Sequence, residues 1–144
     1  MATTTTLVSG TFQALLTTEL NSLANNATTA PSAAYSAGAG YVMAEVELVA
    51  TFGTAPAANT GCSVWFLEQP NATSEDGSAT VTPARPPDVV MPLRPVTTAQ
   101  RVTRRCLIPP GTFKALLLND GSGQTMAASG NVLGIKPFTY QSIP

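Results

Sequence analysis

Residues 41–52, YVMAEVELVATF, constrain the fold more than any other stretch of the chain. Val42, Ala44, Val46, Leu48, Ala50 and Phe52 alternate with Tyr41, Met43, Glu45, Glu47, Val49 and Thr51. Side chains of a strand point to opposite faces with a period of two, so one face is wholly apolar and the other carries both carboxylates. A strand of this kind buries one side and leaves the other open, which is the habit of an antiparallel sheet. Glu45 and Glu47 on such an open face read as solvated charges rather than as an acid–base pair.

Further strand patterns surround this one. CSVWFLEQ, residues 62–69, is apolar on both faces through Val64, Trp65, Phe66 and Leu67. It is either a central strand covered on both sides or one whose second face meets a partner. Trp65 is then a core or interface residue, with a stacking platform for a sugar or base as the alternative. Val89, Val90, Met91 and Leu93, interrupted by Pro92 and Pro95, suit a sheet edge. AQRVTRRCLI, 99–108, puts Arg101, Thr103 and Arg105 on one face and Arg104 opposite. TFKALLLN, 112–119, sets Phe113, Ala115 and Leu117 against Lys114, Leu116 and Leu118. The turn composition of Pro109, Pro110 and Gly111 separates these two, and NVLGIKPFTYQSIP ends the chain as a last strand with an aromatic tail. Short strands with frequent turn signals predict an all-β fold, an antiparallel β-sandwich or jelly-roll-like barrel, formed as a single β domain over 1–144.

One short N-terminal helix is expected over 15–26, LLTTELNSLANN. Leu16, Leu20 and Leu23 form an apolar stripe, Thr17 or Thr18 an N-cap, and Asn25-Asn26 a stop. Residues 1–14 read as an edge strand or as an extended arm reaching a neighbour, with Phe12 and Ala14 on one face. Residues 27–40 are a small-residue connection, and 70–87, with four prolines, form a long irregular loop. Within it Glu75-Asp76-Gly77 reads as a tight turn, since its spacing does not match a calcium loop. LNDGSGQTMAASGN, 118–131, holds only Asp120 as a charge, too little for a cation or phosphate site. It reads as a hairpin loop, with Met126-Ala127-Ala128 covering the end of the core.

Composition narrows the function. Only 10% of residues are charged, against roughly 25% in a typical soluble protein, so little like-charge repulsion opposes lateral association. A net charge of −1 with one small arginine cluster argues against nucleic acid. No apolar run is long enough to span a membrane, and MATTTTLVSGTF lacks the basic start and apolar core of a signal peptide. Synthesis in a reducing cytoplasm is therefore expected. There Cys62 and Cys106 would remain free thiols, and the sequons at Asn26 and Asn71 would carry no glycan.

No catalytic constellation stands out. The chain has no His, no phosphate-cradling glycine loop and no zinc-ligand spacing. No catalytic, cofactor or metal residue is assigned, and the expectation is a protein that binds or assembles rather than an enzyme.

Taken in order, TELNSLANN, YVMAEVELVATF, the stretch from WFLEQP to EDG, TAQRVTRRCLIPPGTFKALLLND and ASGNVLGIKPFTYQ cover most of residues 17–141. Together they resemble small virion structural proteins of tailed bacteriophages, most of all capsid decoration (cement) proteins. The resemblance implies a virion protein made in the host cytoplasm that binds the outer shell, with the major capsid protein as partner and self-association as a homotrimer. Cys62, Cys106 and the arginine cluster fall outside it. The arm at 1–14 and the 70–87 loop are the expected contact segments. Two alternatives stay open: a tail or neck component, and a carbohydrate-binding β-sandwich using Trp65, Tyr35, Tyr41 or Tyr140.

Overall fold

Two antiparallel sheets face each other in a sandwich. The structure, a computed structural model, describes residues 4–143, with side chains described over 4–142. The first three residues of the expected arm, and Pro144, lie outside that range. The strands are β1 (Thr4–Ser9), β2 (Gln13–Leu16), β3 (Tyr35–Ser36), β4 (Met43–Ala50), β5 (Gly61–Glu68), β6 (Val89–Pro92), β7 (Gln100–Leu107), β8 (Thr112–Asp120) and β9 (Val132–Ile143). Sheet A runs β1-β9-β4-β7, with β2 following β1 along the same side of β9; sheet B runs β3-β8-β5-β6. The expected all-β antiparallel sandwich is the observed architecture.

The alternation of residues 43–52 does what its period requires, whereas Val42, expected on the same apolar face, is 50% exposed. Ala44, Val46, Leu48 and Ala50 are fully buried, whereas Met43, Glu45, Glu47 and Val49 are half-buried on the outside. Opposite them sheet B contributes Cys62, Val64, Phe66, Phe113, Ala115 and Leu117. Phe113 anchors this layer, with Phe66 edge-on at 5.0 Å and Tyr35 at 5.4 Å. Each fully buried large side chain is worth about 1.5–3 kcal/mol of transfer free energy.

The expected helix over 15–26 is not formed. Leu16 belongs to β2, Leu20 to a single 3-10 turn (Thr18–Leu20), and Leu23 to the turn beyond. All three leucines are nonetheless buried in the core. Ser22 and Asn26 adopt φ of 58° and 59°, which no helix tolerates. The Ser22 N–H donates to Ala127 O at 3.1 Å instead of closing a helical turn. Three buried leucines at helical spacing were thus delivered by irregular backbone pinned to a distant loop.

Residues 118–131 are not a hairpin loop, because β8 lies in sheet B and β9 in sheet A. The segment crosses between layers and is tied to residues 21–26. Asn119 Nδ2 donates to the carbonyls of Leu23, Ala24 and Gln124, while Asn25 and Asn26 accept from the N–H groups of Gly123 and Gly121. Met126 is buried and bridges to Phe52, closing that end of the core as its sequence suggested. The turn at 109–111 likewise carries the chain from sheet A to sheet B.

β9 is central in sheet A and unusually long. On one side β4 covers residues 132–138; on the other β2 covers 133–135 and β1 covers 138–143. Pro137, which has no N–H to give, sits at the break between β1 and β2, where its carbonyl accepts from Gly10 at 2.7 Å. Beyond Phe138, β9 has only β1 beside it, so the pair leaves the sheet as a two-stranded ribbon.

Candidate interaction surface

The outward faces of the two sheets differ. On sheet B, β5 and β8 present Trp65, Leu67 and Leu116, and the 70–87 loop folds down over them. The Trp65 indole N–H donates to Arg85 O at 3.0 Å, and a side chain at Gly77 would collide with Leu67. Arg85 fastens the loop: its guanidinium grips Glu75 at 2.7 and 2.9 Å, Asp88 at 2.9 Å and Phe66 O at 3.0 Å. The Glu75 hydrogen bond, opposed by burial and aided by Asp88, raises the Arg85 pKa further above its usual value. Asp88 in turn accepts from Phe66 N at 2.7 Å. Trp65 is therefore a core residue, 5% exposed, with no platform to offer a sugar. Glu75, read as part of a turn, also carries the loop's main ion pair.

The outer face of sheet A has no such cover. Register places Glu45 between Arg105 and Lys136, and Glu47 between Thr103 and Gly134. Glu45 accepts from Arg105 at 3.0 Å and Glu47 pairs with Arg101, so both carboxylates are engaged in ion pairs. Arg105 also lies over Phe138, 5.9 Å from the ring centroid, and Phe138 meets Tyr140 edge-on at 6.2 Å. Solvent-exposed pairs of this type contribute about 1 kcal/mol or less to stability. They fix a pattern of charge instead.

Around that charged row sit large apolar groups with nothing over them: Leu107 is 72% exposed, Tyr140 59%, Leu7 53% and Phe12 44%. Leu7 is opposite Tyr140 on the ribbon, while Phe12 lies over Gly134, where a Cβ would overlap the ring. A glycine inside a strand marks a close approach of this kind. Gly134 was thus a visible signal for the Phe12 contact, although its partner could not be read from sequence. Lys136, the second cation beside Glu45, was not singled out by sequence because nothing local marks it. Isolated exposed hydrophobes need no explanation, but several gathered on one sheet face mark an interaction surface.

The remaining sequence candidates are placed as follows. Arg101 and Arg105 share the outer face, with Arg104 on the core-facing side of edge strand β7. Cys62 and Cys106 are free thiols. Burial, with a smaller contribution from Asp120, pushes Cys62 up to about 12; burial, with Asp88, pushes Cys106 up to about 11. Neither is an activated nucleophile. Tyr35, packed on Phe113, and Tyr41 are half-buried, so only Tyr140 among the tyrosines is exposed. Among the described residues no group of three or more His, Cys, Asp or Glu side chains could hold a metal, and no helix is long and apolar enough to cross a membrane. No protein-family model matches the chain, and no curated protein matches it in sequence.

Proposed function

We propose that the protein is a non-enzymatic assembly protein, a decoration (cement) protein of a tailed-phage capsid that binds the outer shell and bridges neighbouring capsomers. The observation that carries the reading is the uncovered face of sheet A, with Leu7, Phe12, Leu107 and Tyr140 set around the Glu45–Arg105 and Glu47–Arg101 pairs. Apolar anchors between fixed charges are what a repeated protein contact uses, the former for affinity and the latter for register. Many copies on a symmetric shell need only modest affinity each. The ordered resemblance across residues 17–141 supplies the virion context, and self-association as a homotrimer belongs to the same reading.

Sedimentation of purified protein with empty shells and with tail preparations tests it. Saturable binding to shells that Leu107→Asp and Phe12→Asp each reduce at least tenfold is expected. Binding confined to tails would make the protein a tail or neck component, and no binding to either particle would sink the virion reading.

A further inference from the structure

Edge strands expose unpaired main-chain N–H and C=O groups, and folded chains normally blunt them. Here nearly every edge is blunted. β6 is four residues long and ends in Pro92. The outer side of β8 is closed by residues 26–36, where Thr29 and Ser32 give main-chain bonds to Leu117 and Ala115 and accept from the same residues through their hydroxyls. β2 is short and irregular in register. β7 carries Arg104 on its core-facing side, and its two longest antiparallel pairings with a second β7 set Arg101 against Arg105 or Arg104 against itself.

The ribbon of β1 and residues 138–143 is the exception. Neither strand has a charge there: the sequences are TTTLVS and FTYQSI. Among the described residues both long edges are open, since β1 pairs only with β9 and residues 139–143 pair only with β1. A two-stranded ribbon alone is marginally stable in water, yet this one exposes Leu7 and Tyr140 on one face.

We infer that this ribbon is a self-assembly element, in which β1 of one copy adds as an antiparallel strand to residues 139–143 of a second copy of this chain. The two edges are complementary: both are uncharged, of similar length and opposite in direction. Because they differ, the contact is head-to-tail and repeats until a ring closes. Two ribbons give only four strands, too few to close a sheet on itself, so the ring contains three or more copies. A two-fold β1–β1 pairing would leave residues 139–143 open and is disfavoured for that reason. The inference specifies the self-association in the proposed function and does not depend on the shell.

The test uses two blocked edges. Thr5→Lys charges β1, and Gln141→Lys charges β9; both side chains are exposed and they lie on opposite faces of the ribbon. Native mass spectrometry of the wild-type chain should give a ring of three or more copies, and each variant alone a monomer with unchanged circular dichroism. An equal mixture of the variants should give a one-to-one dimer, because one intact β1 and one intact 139–143 edge remain. A wild-type monomer or dimer, a Gln141→Lys chain that still forms the ring, or a mixture that stays monomeric overturns the inference. If either variant unfolds, amide exchange in wild-type residues 4–9 and 139–143 decides: protection must fall on dilution, and concentration-independent protection overturns it. Shell binding is read on particles and ring formation in free protein, so failure of one does not mimic failure of the other.

Discussion

Sheet B and sheet A each expose an outer face with aromatic and apolar residues, and the chain treats them in opposite ways. Over sheet B it lays eighteen residues, 70–87, and locks them with Arg85, so that Trp65 and Leu116 become a second small core. Over sheet A it lays only Phe12, which rests on Gly134 and remains half in solvent. Residues on the first face should therefore set stability, and those on the second should set association. The long loop read from sequence as a contact segment folds over its own sheet as a lid.

The sharpest way to break this comparison is Trp65→Ala. It removes a buried indole and orphans Arg85 O, and should cost about 3–5 kcal/mol in urea unfolding; a loss below about 1 kcal/mol would mean that the lid is loosely held. High pH should produce the next effect. The Cys62 thiol is held protonated up to about 12, against an ordinary value of 9.0. Above pH 9 the unfolded chain releases this proton while the folded chain retains it, so stability falls as pH rises, by about 1.4 kcal/mol per pH unit per thiol. Cys62→Ala should remove more of that fall than Cys106→Ala, whose thiol is held only to about 11. Denaturation midpoints between pH 8 and 12 measure it, the two variants separating above about pH 11.

Arg85→Ala should cost about 1–2 kcal/mol, since its pairs are partly solvent-screened, and should open residues 70–87 to limited proteolysis. Gly134→Ala displaces Phe12 and should cost about 1 kcal/mol, visible as a small shift in melting temperature. Smallest of all, Glu45→Gln combined with Arg105→Gln should change stability by about 0.5 kcal/mol or less while weakening particle binding severalfold. A large stability loss from that pair would erase the distinction between the two faces.

Much of this organisation was legible in the sequence where periodicity reports burial directly. Residues 43–50 and 112–119 alternate as expected, and β5, apolar on both faces, is covered on both faces. What escaped was decided by distant partners. Leu16, Leu20 and Leu23 fit a helical stripe, but the Asn-rich segment around them binds the 118–131 crossover, a constraint invisible to any local window. The connection after β8 looked like a hairpin loop because turn residues specify a reversal, not the sheet to which the chain returns. The contact between Phe12 and Gly134 joins residues far apart in sequence, with only the glycine hinting at it.

The position of β9 has a consequence for timing. β9 follows β1, β2 and β4 in the chain and is the partner of all three at once. Sheet A cannot close before it has been made, and until then the apolar side of β4 waits with β7 as its only strand partner. Pairings that join the first strands to the last are slow, on the order of milliseconds to seconds for β-sandwiches. Folding is therefore expected to be limited by docking of residues 132–143, so that destabilising β9 slows acquisition of the native state, whereas loosening the 70–87 lid chiefly accelerates its loss.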